Sequence, residues 1–313
     1  MFPNPDRYYF LGNRGATSGD YDHASMTVEA FCASGGDPDA FARELARRIR
    51  VWAACVPGGI GLATLRSSLK LWLGVSPTKS GVFSAGNGPA MRSHVLGALS
   101  PDTRQLVAFV RASTLISHSD PKAFVGALWV ALASRYSASA ERVDPRAFLG
   151  AAKAALALAP ADLAFTQTIE EAVESVCRGE ATQDFARRFG RNGVSGYIYH
   201  TVPVVIHAWL SHPEDLPTAL KAVIACGGDS DTAGSILGGI IGARVGIAGI
   251  PEPLVQRLIL WPRGMAKAKA LAELSESGRT ASVRVPAWQY VVRNLWFDTV
   301  VLAHGLRRLG PPY

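Results

Sequence analysis

The chain has 313 residues, of which 48% are hydrophobic and 18% charged, with 31 glycines, so it can bury a sizeable core and is neither disordered, collagen-like nor low in complexity. Apolar runs are cut by polar residues such as Asp229, Asp231 and Arg244 before they reach the roughly 18 residues needed to cross a bilayer, so no integral membrane protein is expected. A formal charge of +7 invites a polyanion partner, but the basic residues fall singly or in pairs (Arg66 and Lys70; Arg187, Arg188 and Arg191; Lys267 and Lys269) without interleaved aromatics, which points to a solvated surface and away from a nucleic-acid groove.

Residues 7–11 are the one strand-like stretch near the start. From there apolar residues recur at helical spacing. Asp37-Pro38 opens a helix carrying Phe41, Leu45, Ile49 and Trp52 on one face, and Leu62, Leu65, Leu69 and Trp72 repeat the pattern until Gly74 stops it. Further helices are expected from Pro101-Asp102, Asp120-Pro121, Asp144-Pro145, Pro160, Thr201, Pro213 and Asp231, and a last one over residues 287–309. The expected fold is all-α, a compact multi-helix bundle in a single domain spanning residues 1–313. Residues 275–286 are its most linker-like stretch, and the aromatic tail helix (Trp288, Val291, Val292, Leu295, Trp296, Val300) is expected to dock on the body. The start lacks the basic-then-apolar pattern of a secretory signal, and Cys32, Cys55, Cys177 and Cys226 are unpatterned. A reducing cytoplasm and a monomer are the expected setting.

Three loops carry chemistry. In GGDSDTAGSILGGIIGA (residues 227–243), Asp229, Asp231 and Thr232 place hard oxygens just before an apolar helix. One aspartate there is explained as a helix cap; two plus a hydroxyl also suit a Mg²⁺-like or Mn²⁺-like ion, and spacing alone leaves both readings open. Gly234, Gly238, Gly239 and Gly242 give that helix a smooth face suited to close packing. AGNGPAMR (85–92) sets Gly86, Asn87 and Gly88 before a helix start, either an ordinary turn and cap or a loop whose amides approach a diphosphate. GVSGYIYH (193–200) offers glycines, Ser195, two tyrosines and a histidine, read as core tyrosines or as a wall for a planar group.

Taken together and in this order, AGNGPAMR, GVSGYIYHTVPV and GGDSDTAGSILGGIIGA resemble the ADP-ribosylglycohydrolase family over residues 10–253. The resemblance implies an all-α hydrolase that removes ADP-ribose from a protein side chain or small acceptor, with one or two Mg²⁺ or Mn²⁺ ions in a cleft. It further implies Asp229, Asp231 and Thr232 as metal ligands; Gly86, Asn87, Gly88 and Met91 near the diphosphate; and Ser195, Gly196 and Tyr197 on another ligand-facing loop. ISHSDP (116–121) adds His118 and, more weakly, Asp120. The early acidic motif of the family corresponds to SGDYD (18–22), which keeps Ser18 and Asp20 as metal ligands while Gly19 stands in place of an acid and Tyr21 in place of a threonine. Asp20 and Asp231 are the expected catalytic carboxylates, with Asp22 in reserve. The chain as given begins beyond the family's usual opening helix. Two readings follow: an ion-dependent hydrolase, or an ADP-ribose-binding or structural relative with a depleted metal site.

Overall fold

Aspartate and proline set the helix starts. In the computed structural model, which describes residues 10–159, 162–190, 193–262, 264–277 and 286–307, the Asp37 carboxylate accepts the amides of Asp39 and Ala40, and Asp102, Asp120, Asp144, Asp162 and Asp215 cap their own helices in the same way. The helices are α1 (Gly19–Ala33), α2 (Pro38–Ala54), α3 (Leu62–Trp72), α4 (His94–Leu99), α5 (Thr103–Ser117), α6 (Pro121–Ser139), α7 (Pro145–Leu156) and α8 (Leu163–Cys177). They continue as α9 (Thr182–Ala186), α10 (Ile198–Ser211), α11 (Leu216–Ala225), α12 (Ser230–Val245), α13 (Glu252–Gln256), α14 (Gly264–Ser277) and α15 (Ala287–Arg307). Strand content among the described residues is one parallel two-residue pair, Gly15–Ala16 on Leu258–Ile259. The fold is all-α, as expected. No helix among the described residues is long and apolar enough to cross a membrane, and the four cysteines are free thiols.

The axis of the bundle is α6, buried along most of its length and packed by α4, α5, α10 and α12. Phe148 sets its ring edge-on to Trp129 and Trp209, at centroid distances of 6.1 and 4.9 Å, and all three are fully buried. Small residues allow the tightest crossing: a Cβ on Gly97 in α4 would lie 2.0 Å from the Ala131 carbonyl oxygen of α6. Gly97→Ala is therefore expected to destabilise the protein by about 1–3 kcal/mol, read by thermal or denaturant unfolding; a change below about 0.5 kcal/mol would mean that the two helices separate freely. On α12 the smooth face is tight only at Gly239, which lies against His94; Gly238 and Gly242 meet open space.

Several boundaries differ from the sequence-based expectation. Helix α10 begins at Ile198, three residues before Thr201, because the Ile198 amide bonds the Ala85 carbonyl and Pro203 is accommodated inside the helix. Asp215 caps α11 two residues past Pro213, with Pro217 in the first turn. Pro160 and most of residues 7–11 and 275–286 fall outside the described residues, and the helix expected from Pro160 starts at Leu163 behind Asp162. Helix α15 docks by its polar side: Asn294 is buried, whereas Trp288, Val292, Leu295, Leu302 and Leu306 are exposed. Most of the apolar face that pointed to docking stays exposed, because the groove α15 meets presents Asp22 and the Cys55 carbonyl; of that face Trp296 packs edge-on to Phe10, whose ring also stacks on Phe297.

Candidate active site

Three loops distant in sequence are knitted together by backbone hydrogen bonds. The Asn87 amide donates to the Gly196 carbonyl (2.9 Å), Gly86 forms a bridge with Tyr197, Val194 forms one with Gly228, and the Asp229 amide donates to the Val194 carbonyl (2.7 Å). Gly228 makes the last approach possible: its φ is +75°, and a Cβ there would lie 2.2 Å from the Val194 oxygen. The result is a cleft of about 700 Å³ lined by Gly86, Asn87, Gly88, Met91, His118, Gly196, Asp229, Asp231 and Thr232, and by Ser18, Asp20 and Asp22 from the start of α1.

Asp229 stands at the N-cap position of α12, yet its side chain makes no capping bond. It accepts a hydrogen bond from Asn87 Nδ2 (2.7 Å) and shares one with Asp231. Capping therefore does not account for this aspartate. Asn87 is held in turn by Thr201 (3.2 Å). Across the cleft, Ser18 caps α1 and its hydroxyl donates to Asp20 Oδ2 (2.6 Å), Thr232 also bonds Asp20, and the buried Asp20 Oδ1 has no partner among the described residues. Burial pushes the Asp20 carboxyl upward, helped by the charge of Asp229. Desolvation, the hydrogen bond with Asp229 and the charges of Asp20 and Asp229 push Asp231 up to about 6. No Lys or Arg among the described residues forms an ion pair with these three acids.

An ion would find hard oxygen donors here in Ser18, Asp20, Asp229, Asp231 and Thr232, with an orphaned carboxylate oxygen and unneutralised charge to accept it. The donor set fits Mg²⁺ or Mn²⁺ in its chemistry. The carboxylates do not form a finished cage, since among the described residues no three Asp, Glu, His or Cys side chains already surround one point in ligating geometry.

The Gly86–Gly88 loop rests on an imidazole. A Cβ on Gly86 would lie 3.1 Å from His118 Nε2, and one on Gly88 3.0 Å from His118 Cε1, so both glycines make room for this ring. Burial first, then the nearby Arg92 charge, lowers His118 to about 3, and it faces the cleft as a neutral ring with Nδ1 on Ser117 (2.9 Å). Beneath it the fully buried Arg92 bonds Ser113, Ser117, the Gly88 carbonyl and His23.

Other expected residues stand aside. Ser195 turns to His200 (3.0 Å), and Tyr197 packs beside Tyr199, His200 and Lys122, so neither lines the cleft. Asp120 is the cap of α6. Asp22 is no free carboxylate: Trp52 Nε1 donates to it (2.9 Å) and Arg293 of α15 grips both its oxygens. Gly19 is hemmed in by Trp52, whose ring lies 3.2 Å from where a Cβ would stand. Sequence reasoning missed one whole side of the cleft: Trp52, residues 57–62, Trp261 and the residues Arg293, Asn294, Trp296, Phe297 and Asp298 of α15. The Arg293-Asn294 pair and Asp298, set among the apolar residues of α15, were the available signal.

The ADP-ribosylglycohydrolase family profile matches residues 2–281, nine-tenths of the chain. The chain belongs to the ADP-ribosylglycohydrolase family. A curated relative, the ADP-ribosylhydrolase ARH3 of Xenopus tropicalis, is 25% identical over 225 residues, covering 62% of this chain; the match takes in 63% of that protein, less than two thirds of its length. The fold is shared with a solved ADP-ribosylglycohydrolase-related protein complex, at a TM-score of 0.60 and 23% identity, covering 82% of this chain and 81% of the other. The three convergent loops and the acid cluster all lie inside the family match, whereas α15 lies beyond it.

Proposed function

We propose that this member of the family is a divalent-ion-dependent hydrolase that cleaves an ADP-ribosyl linkage, releasing ADP-ribose from a protein side chain or small acceptor. The observation that carries the reading is Asp229, an aspartate at a helix N-cap that leaves its cap unmade to join Asp231 and Asp20 in an acid cluster with no paired cation among the described residues. Ser18, Asp20, Asp229, Asp231 and Thr232 would hold Mg²⁺ or Mn²⁺. A divalent cation supplies Lewis acidity and positive charge to the sugar under attack. Asn87 orients Asp229, and Ser18 holds Oδ2 of Asp20, a residue that lines the cleft, leaving its buried Oδ1 without a partner among the described residues. That oxygen, on a carboxyl of raised affinity for protons, takes the proton of the attacking water, while Asp231 shares in the charge of the site. Gly86, Asn87, Gly88, Met91 and Gly196 form the wall along which ADP-ribose lies.

A second reading, an ADP-ribose-binding relative without turnover, is favoured by Trp52 filling the space beside Gly19 and by Arg293 occupying Asp22. Thermal melts in chelator, in Mn²⁺ or Mg²⁺, and with added ADP-ribose separate the two when combined with an assay for released ADP-ribose. An ion at a hundred times its dissociation constant is expected to stabilise the protein by about 2.7 kcal/mol, with ADP-ribose adding to the rise. Stabilisation by ADP-ribose without cleavage of any ADP-ribosylated substrate selects the second reading, and a melting point indifferent to both ligands defeats both.

A further inference from the structure

Helix α15 lies outside the family match, yet Arg293, Asn294, Trp296, Phe297 and Asp298 line the cleft. It is held there by buried polar contacts. Arg293 Nη1 donates to Asp22 Oδ1 (2.8 Å), Nη2 pairs with Oδ2, and Nε donates to Asn294 Oδ1 (3.1 Å); Asn294 Nδ2 donates to the Cys55 carbonyl (2.8 Å). Only 3% of the Asp22 side chain and 12% of the Arg293 side chain are exposed. With its donors consumed in this way, the guanidinium serves as a clamp for the helix. Trp296, by contrast, is 37% exposed even though the Phe10 ring packs edge-on against it and stacks on Phe297 (centroids 5.1 Å apart in each case), and the Asp298 carboxylate, which faces Gly58, is in no ion pair among the described residues.

The position of this wall follows from the segment 58–64. A Cβ on Gly58 would meet the Asp298 carboxylate and the Phe297 ring, whereas at the other end Thr64 Oγ1 lies 3.7 Å from where a Cβ on Gly88 would stand. The segment thus runs along the cleft from α15 to the Gly86–Gly88 loop. The acids lie between: Asp229 is tied to Asn87 on one side, and Asp20 follows Gly19, which touches Trp52 beside the Asp22–Arg293 pair on the other. We infer that α15 is the acceptor-side wall of the cleft: Trp296, Phe297 and Asp298 receive the group joined to the ribose, and Arg293 is a positioning residue that clamps the wall to Asp22. This rests on the proposed binding of ADP-ribose along the Gly86–Gly88 loop. An indole, a phenyl ring and a free carboxylate suit an acceptor with an apolar stem and a hydrogen-bond donor or positive charge, and disfavour an acidic one.

The test compares the parent chain with Trp296→Ala, Arg293→Gln and Asp298→Asn in Mn²⁺. Two affinities are measured: for ADP-ribose by calorimetry, and for ADP-ribosylated peptides of basic and acidic sequence by KM, or by calorimetry if there is no turnover. Trp296→Ala is expected to weaken peptide affinity at least fivefold while kcat and ADP-ribose affinity stay within twofold. Arg293→Gln should do the same and also lower the melting point, and Asp298→Asn should narrow the preference for the basic peptide. If ADP-ribose affinity falls by the same factor as peptide affinity, or if the variants lower only the melting point, α15 is not an acceptor wall. A parent that binds no ADP-ribose overturns the functional reading and this inference together, whereas a parent that binds it while Trp296→Ala leaves peptide affinity unchanged overturns the inference alone.

Discussion

Asp231→Ala is expected to abolish divalent-ion binding and to cut cleavage of an ADP-ribosyl linkage by at least about a hundredfold, since removing even an outer partner of a bound ion commonly costs 10–100-fold. Helical ellipticity should be unchanged, because Asp231 is exposed in the first turn of α12 and is not among the buried residues of that helix. A mere helix-terminus role predicts the opposite pattern: a loss of about 0.5–2 kcal/mol in stability and an unaltered ion titration. The pH dependence is a second signature. Asp231 is pushed up to about 6 in the folded chain, against an ordinary carboxyl value of 3.8, so the folded state holds the proton more tightly than the unfolded one. That contribution to stability is complete below 3.8 and is lost as pH rises through about 6. The buried neutral imidazoles of His23, His94, His118 and His207, whose pKa values are lowered, impose the opposite slope, so the signature is a difference: in chelator the parent should gain stability over Asp231→Asn at pH 5 and lose that advantage by pH 7. Saturating Mn²⁺ should make the parent's melting point rise more steeply with pH than it does in chelator, because ligating carboxylates must be deprotonated. Parallel pH profiles of the parent and Asp231→Asn in chelator would show that the acids do not repel one another.

Gly228→Ala should unfold the site from the other direction. At φ +75° an alanine costs about 1–2 kcal/mol in local strain. Its Cβ would also stand 2.2 Å from the Val194 oxygen and 2.6 Å from the Val194 nitrogen, both backbone atoms that move only if the two loops part. Parting them breaks the bond from the Asp229 amide to the Val194 carbonyl and withdraws Asp229 from Asn87. The expected result is a loss of about 3 kcal/mol or more in unfolding free energy together with a large loss of ion affinity. Gly227→Ala is the control. It has a similar φ of +70°, but its nearest neighbour is the Gly193 Cα at 3.9 Å, so it should suffer the local strain and keep most of its ion binding. Equal ion affinities in the two variants would mean that the close approach of the loops does not position Asp229.

Much of this protein can be read along the chain. Helix starts follow from aspartate caps and first-turn prolines, interactions that reach no further than three residues, and the buried face of α2 follows from its spacing, whereas the stripe Leu62, Leu65, Leu69 and Trp72 of α3 is exposed and Thr64, Ser67, Ser68 and Leu71 are buried instead. The motifs at residues 85–92, 193–200 and 227–243 identified three loops of the candidate site, because glycines beside oxygen-bearing side chains are informative without knowledge of the fold. Local sequence did not delimit α1, since the side it buries is polar: Asp20, Asp22, His23, Ser25, Thr27 and Glu29 are all sequestered, and a helix with polar residues inside and out has no periodic stripe to read.

What only the tertiary structure decided is the partner of each polar group. Asp20, Asp22 and Asp229 are alike in sequence, yet Asp22 is neutralised by Arg293 from 271 positions away, Asp229 is drawn to Asn87 from 142 positions away, and Asp20 keeps a buried oxygen with no partner among the described residues. The same holds for α15, whose apolar stripe suggested one docking face while the Arg293-Asn294 pair supplied another. A buried charge is costly until it is paired, so the long-range pairing determines which of several identical side chains is structural and which remains available for chemistry. Composition and spacing determine that such groups exist; only the folded chain assigns their partners.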